Sequence, residues 1–252
     1  MPDRILATWF RHRSALLLLL AWPVVAWLLE RRPVRLVEVA AGALLLAGGV
    51  ALRLLAIRRI GRNARVARAH ASAGLVRGGP YAWARNPLYL AAGAMLCGLA
   101  LMAGAGAAGL LLIPTTVALY TPVVIHEERT LRQLLGPAYA AYAESIPRWL
   151  GVRRAAPAAP GPVVPWPEVM HREQALVPGS LAAAAGILSV RLGLIPMAEV
   201  LDPLARALGT SPAGVVGLGL AVAGILDAWK IDRKRRRRAH PSGAPSPTVS
   251  GA

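Results

Sequence analysis

From Asn86 to Ile125 the chain runs about 40 residues without a charged side chain. One membrane crossing takes about 20 residues, so the stretch is too long for one and suits two. The soft run Ala103-Gly104-Ala105-Gly106-Ala107 supplies a minimal turn between them. A hairpin of this kind returns its two polar ends to the same face of the bilayer. Those ends are chemically distinctive. The leading one reads Leu75-Val76-Arg77-Gly78-Gly79-Pro80-Tyr81-Ala82-Trp83-Ala84-Arg85-Asn86-Pro87-Leu88-Tyr89-Leu90, and the trailing one reads His126-Glu127-Glu128-Arg129. Polar groups distant in sequence are thereby expected to meet at one membrane surface.

The composition, 56% hydrophobic with a mean hydropathy of +0.49, excludes an ordinary soluble domain. Apolar runs recur at Ser14–Leu29, Val34–Ile57, Leu88–Ala103, Gly109–Ile125, Ala175–Leu194 and Pro212–Leu226. They predict an all-α integral-membrane bundle of about six transmembrane helices around the central hairpin. Arg35, Glu38 and Arg53 lie near the ends of the second run, where side chains snorkel to the interfaces.

The net charge is +17, almost all arginine, with lysine only at Lys230 and Lys234. In a soluble protein this would point to nucleic acid. Here the positive-inside rule accounts for it, and no nucleic-acid partner is expected. The arginine-rich segments Arg58–Arg85, Arg129–Arg172 and Lys230–Arg238 all fall on the side of the amino terminus, which carries Arg4, Arg11 and Arg13. Both termini are therefore expected in the cytoplasm, with Arg31, Arg32 and Arg35 on the other side. The turn at Gly104–Ala107 and the loop Ala198–Ser211 face away from it. The first apolar run reads as an uncleaved signal anchor, because Trp27 and more leucines follow directly on Val24-Val25-Ala26. Cys97, the only cysteine, lies in an apolar run, so no intrachain disulfide or cysteine metal cluster is open to the chain, and no metal is expected.

Five regions follow from these patterns. Residues 1–60 are two lead-in helices, and 61–151 hold the basic loop, the hairpin and a cytoplasmic helix over Glu127–Trp149. Residues 152–169 form a proline-rich linker, 170–230 two further transmembrane helices, and 231–252 a basic, disordered tail. Gly214, Gly217, Gly219 and Gly224 on the last helix predict close packing against another helix.

Chemistry is expected at the two ends of the hairpin. Gly78-Gly79-Pro80 forces a turn, and Pro87 suits the first position of a helix with Asn86 as its cap. Glu127 and Glu128 follow an apolar helix in which Pro122 removes a backbone hydrogen bond. Two plainer readings stand beside these: an i,i+4 surface pair of Glu128 with Arg132, and an aromatic belt of Tyr81, Trp83 and Tyr89.

Taken together, Leu-Val-x-x-Gly-Pro-Tyr-x-x-x-Arg-Asn-Pro-x-Tyr-Leu, the hairpin, Glu-Glu-Arg and the trailing Gly136…Tyr139…Tyr142…Ile146-Pro147-Arg148 resemble the isoprenylcysteine carboxyl methyltransferase family. That family belongs to a wider group that includes phospholipid methyltransferases. The resemblance covers roughly Leu75 to Trp149. It implies an integral-membrane enzyme that transfers a methyl group from S-adenosylmethionine to a lipophilic or amphiphilic acceptor. By the same resemblance Leu75 and Val76 match backbone and apolar contacts to the cofactor, and Tyr81 an aromatic of its pocket. Asn86-Pro87-Leu88-Tyr89 matches a His-Pro-x-Tyr element, with Asn86 in place of the histidine. Glu127 and Glu128 match the acidic pair that holds the donor. An arginine that eukaryotic members carry one turn before the acids is Val123 here, which argues against prenylcysteine as the acceptor.

The residues fit this chemistry in their own right. A carboxylate pair at a partly dry membrane edge would hold a donor carrying a sulfonium and an ammonium. Arg85 and Glu128 are the expected catalytic residues, Arg85 orienting an anionic or polar acceptor; His70 and His126 read as solvated interfacial histidines. The expected partners are a lipophilic small molecule or lipid and the membrane lipids themselves, and the expected location is a bacterial inner membrane with the site facing the cytoplasm. The alternative is a non-catalytic membrane scaffold that retains the fold and binds lipid or a partner. A channel is disfavoured, because ionisable residues in the spans are few and sit near helix ends.

Overall fold

A computed structural model describes residues 8–10, 20–21, 23–28, 33–60, 75–151 and 163–239. Most of the expected signal anchor, the loop with His70, the proline-rich stretch 152–162 and the tail 240–252 lie outside the described residues. The described residues are helical with no strand, an all-α bundle. In chain order the helices are α1 (Leu36–Ile60), α2 (Pro87–Met102), α3 (Leu112–Leu135), α4 (Pro137–Ser145), α5 (Trp166–Arg172), α6 (Leu176–Arg191), α7 (Met197–Ala207) and α8 (Pro212–Ala239). Short 3-10 turns at Gly79–Ala82 and Gly106–Leu111 lead into α2 and α3.

Two of these helical stretches, Leu36–Ile60 and Gly106–Leu135, are long and apolar enough to cross a membrane. The number rises to four if the bent pairs α5–α6 (59°) and α7–α8 (75°) each count as one span. α2, with 16 residues, is about 24 Å long at 1.5 Å per residue, shorter than a hydrocarbon core of about 30 Å. The protein is an integral membrane protein built on the expected hairpin of α2 and α3. Gly104 (φ 91) and Gly106 (φ 57) make its turn, both in the left-handed region that glycine enters without strain.

Lipid tails are as apolar as leucine, so water does not drive helices together inside the bilayer and close contact between small residues must. α1 and α2 show this. A Cβ on Gly42 would meet the Gly98 carbonyl oxygen at 2.6 Å, and a Cβ on Gly98 would meet the Gly42 oxygen at 2.5 Å. One turn pair further along, a Cβ on Gly49 would come within 3.0 Å of the Ala91 oxygen. Leu46, Met95, Ala100, Met102, Leu112, Tyr120 and Val123 complete the core, and Leu20, Val24, Ala184 and Ile187 join it from outside the hairpin. Cys97 is fully buried, as a small packing residue would be.

Several expectations change. The predicted cytoplasmic helix over Glu127–Trp149 is two pieces, because Gly136 (φ 54) breaks the chain between α3 and α4. The predicted linker ends early, since α5 begins at Trp166, where the Arg58 guanidinium lies 4.6 Å above the indole. The predicted loop Ala198–Ser211 is largely helix α7, with Glu199, Asp202 and Arg206 spaced among Val200, Leu204 and Leu208. The predicted disordered tail does not start at residue 231, because α8 continues through Ala239. Continuation costs little there: Lys230 to Ala239 holds no glycine or proline, and lysine, arginine and alanine are strong helix formers. Gly219 does not mediate close packing, since a Cβ added to it meets nothing within 4 Å.

Candidate active site

The hairpin carries its two polar ends to the same end of the bundle, where the acid pair meets the leading segment. Pro87 opens α2 and is buried, with Asn86 at the cap position. The Asn86 side chain does not cap the helix. Its amide nitrogen donates to Glu128 Oε1 at 3.3 Å and to the Arg148 carbonyl at 3.1 Å. One turn into α2 the Tyr89 hydroxyl donates to Glu127 Oε1 at 3.1 Å, and its ring tilts against Tyr120 at 4.7 Å. Asn86 and Tyr89 are three apart on one helix face, and the adjacent acids on α3 meet them one each.

Glu128 is the hub. It is only 3% exposed and accepts a bidentate pair from Arg148, Nε at 3.1 Å and Nη2 at 2.9 Å. The Arg85 Nη1 stands 3.5 Å from Glu128 Oε2, an ion pair rather than a hydrogen bond. A carboxylate this buried is tolerable because two guanidinium groups and an amide surround it. The bond to Glu128 in turn raises the Arg148 pKa. The surface pair with Arg132 is thus not what occupies Glu128. Arg85 is nine-tenths buried, yet its Nε and Nη1 have no hydrogen-bond partner. Buried donors without a hydrogen bond cost free energy, roughly 1–3 kcal/mol each.

The trailing motif acquires a physical meaning residue by residue. Past the Gly136 break, α4 lays Tyr139 and Tyr142 against each other edge to face (5.9 Å, 62°), and both are buried. The Tyr142 hydroxyl donates to the Tyr81 carbonyl at 2.8 Å, and the Arg85 N–H donates to the Pro147 carbonyl at 2.9 Å. Arg77 Nη2 reaches the Ala138 carbonyl at 3.1 Å. The segment from Ala138 to Arg148 therefore clamps the leading segment along its length. Burial pushes the Tyr139 hydroxyl up to about 12, with the Glu128 charge adding to it. Burial raises Tyr142 as well, and Tyr139 beside it contributes.

The remaining expected site residues fall into place around this network. Tyr81 is buried against Ala56 and Ile60 of α1, with Val76 and Leu88 packed beside it. Its hydroxyl has no hydrogen-bond partner, and burial holds that hydroxyl's pKa well above the ordinary tyrosine value. Leu75 packs instead on the cluster of Tyr139, Tyr142 and Ile146. His126 packs on the Phe10 ring at 5.1 Å, and Trp83 is exposed, as a belt residue would be. Val123 is completely buried in the core. Two residues carry more than the sequence assigned them. Arg148 and Tyr142 were legible only as members of a trailing pattern, with no signal in their spacing that one grips Glu128 and the other Tyr81.

The arrangement combines one acid bonded to a tyrosine, a second acid locked among cations, and buried donors without acceptors. No curated protein and no solved structure matches the chain. A family model does: that of the phospholipid methyltransferases matches residues 37–138, which takes in α1, the leading segment, the hairpin and both acids. Residues 37–138 are thus similar to the phospholipid methyltransferases, the group of membrane methyltransferases that the motifs resemble.

Proposed function

We propose that the protein is an S-adenosylmethionine-dependent methyltransferase acting on a lipophilic or amphiphilic acceptor, with its site at the cytoplasmic face of a bacterial inner membrane. The observation that carries this is the pairing of Asn86 with Glu128 and Tyr89 with Glu127 across the hairpin. The residues present suit such a cofactor: carboxylates for its cationic groups, and unpartnered buried donors on Tyr81 and Arg85 for its oxygens or those of an acceptor. When bound, the cofactor supplies an electrophilic methyl group on a sulfonium.

The chain's own contribution is positioning and exclusion of water. Glu127, oriented by the Tyr89 hydroxyl, presents negative charge to the donor. Glu128, held by Arg148 and Asn86, keeps the Arg85 guanidinium beside the reacting region, where it orients an anionic or polar acceptor. Alignment of this kind supplies roughly 7–11 kcal/mol at its extreme. Asn86 hydrogen-bonds but does not exchange a proton, so the acceptor arrives already nucleophilic. Pro87 and Leu88 fix the start of α2, with Val76 packed on the Tyr81 cluster beside Leu88 and Leu75 on the Tyr139 and Tyr142 cluster.

The test is calorimetric titration of detergent-purified protein with S-adenosylmethionine. Binding is expected for the unaltered chain, and Glu127→Ala and Glu128→Ala are each expected to weaken it at least tenfold. Unchanged affinity in both variants rejects the assigned site. Incubating membrane extracts with radiolabelled donor and identifying the labelled product then defines the acceptor.

A further inference from the structure

The Tyr81 hydroxyl is the one buried tyrosine oxygen that the network above leaves without a partner, and groups of opposite charge act on it. Tyr81 packs on Ala56 and Ile60 of α1. Arg53 lies three and seven residues before them, on the same face of that helix. The Glu127 carboxylate acts on the same hydroxyl electrostatically. The field of Arg53 favours negative charge at the hydroxyl and that of Glu127 opposes it, so both reach it electrostatically.

Arg53 is not loose. Its Nε donates to Glu173 Oε2 at 2.8 Å and its Nη2 to Oε1 at 3.2 Å, and Glu173 is only 4% exposed. Glu173 lies between α5 and α6, beyond the matched region that ends at residue 138. A guanidinium has five N–H donors, and Glu173 takes two of them. A buried carboxylate gripping the fork in two places fixes the direction of the rest.

We propose that Tyr81 and Arg53 form an anion subsite beside Glu127, so that the three together take the zwitterionic end of an α-amino acid. The carboxylate accepts from the Tyr81 hydroxyl and Arg53, and the ammonium faces Glu127. This rests on the reading of the site as one for S-adenosylmethionine and identifies which end of that molecule lies at α1. Glu173 is a positioning residue. It gives the helices beyond the matched region a duty at the site, since they hold Arg53 in register with Tyr81.

The experiment compares binding of S-adenosylmethionine with binding of its decarboxylated analogue, which keeps the amine and the sulfonium and lacks only the carboxylate. The unaltered protein is expected to prefer the carboxylated form by about tenfold or more, as a charge-assisted hydrogen bond implies. Tyr81→Phe removes only an oxygen with no internal partner, so it keeps the fold and reduces the preference severalfold. Arg53→Gln with Glu173→Gln, a neutral pair that leaves no buried charge alone, is expected to abolish it. Glu173→Gln alone reduces the preference, and Glu173→Asp restores part of it, which a purely structural role would not produce. If the unaltered protein binds both compounds and the preference is absent, or survives in Tyr81→Phe and the double variant, the subsite is wrong while the donor assignment stands. If neither compound binds the unaltered protein, both fall.

Discussion

α1 and α8 are both long helices with glycine in an apolar sequence, and they use it differently. In α1, Gly42 and Gly49 are places where the backbone of α2 comes so near that any side chain would strike a carbonyl. In α8, Gly219 faces open space, while Leu218, Val222, Ile225 and Trp229 are exposed. Glycine in a membrane helix therefore does not by itself signal an interface. What separates the two is the partner: α2 offers Gly98 opposite Gly42, so that both surfaces are flat at the same height. The matched region, residues 37–138, is consolidated by this contact and by the Glu128 network. α6 is tied to it by Ala184 and Ile187, and the Arg191 guanidinium donates to the Pro33 carbonyl ahead of α1 at 2.9 Å. α7 and α8 pack chiefly on each other.

The comparison breaks most directly at Gly98. Gly98→Leu puts a side chain into the Gly42 oxygen and the Leu46 backbone, neither of which can yield. Overpacking of this kind is expected to cost roughly 3 kcal/mol or more. Thermal unfolding in detergent should show a large drop in midpoint, and an unchanged midpoint would mean that α1 and α2 are not in backbone contact.

The next effect is at the polar end. Glu128→Ala leaves Arg148 and the buried Arg85 without their counter-charge, and removal of one partner from such a network is expected to cost about 3 kcal/mol. Arg148→Ala should be milder, because Arg148 is partly exposed and Glu128 keeps Asn86 and Arg85. Equal losses in the two variants would show that Glu128 is not the hub.

A smaller effect is set by pH. Tyr139 ionises at about 12 in the fold against an ordinary 10, so the folded state holds its proton more tightly than the unfolded chain does. The stability it contributes is complete below pH 10 and is lost as pH climbs from 10 to about 12. Tyrosinate absorbance and helicity should change together across that window. Tyr139→Phe should make the dependence shallower, with Tyr142 and Tyr81, which burial also raises, supplying the rest, and an unaltered profile would remove Tyr139 as a source.

The smallest effect sharpens the contrast from the other side. Gly219→Leu meets nothing, and replacing glycine within a helix is worth up to about 1 kcal/mol in its favour. The midpoint should hold or rise slightly, and a fall comparable to that of Gly98→Leu would show that α8 has a partner surface.

Much of the site could be read from the chain because turn chemistry and polarity are local. The uncharged stretch from Asn86 to Ile125 dictated a hairpin, and a hairpin must bring Asn86 and Glu128 to one end. Proline at position 87 and glycine at 104 and 106 fixed where the helices start and turn. The duties of individual side chains were less accessible. Asn86 is an excellent cap residue at a cap position, yet its side chain makes no capping bond, because its NH2 is oriented by donating to the buried Glu128 carboxylate and to the Arg148 carbonyl.

The amino-acid sequence by itself determined that this is a helical membrane protein with a reversing pair of spans and a methyltransferase-like motif at their common end. Periodicity, chain length against bilayer thickness and the conformational limits of glycine and proline act over a few residues and leave their mark in order. Only the tertiary structure decided that Glu128 is a counter-ion hub for Arg148, that Tyr142 clamps Tyr81, and that Glu173 reaches Arg53 from 120 positions away. Such pairings depend on which helix faces meet. In lipid, where apolar surface is no guide, that is settled by a carbonyl against a glycine and by each buried charge finding its partner.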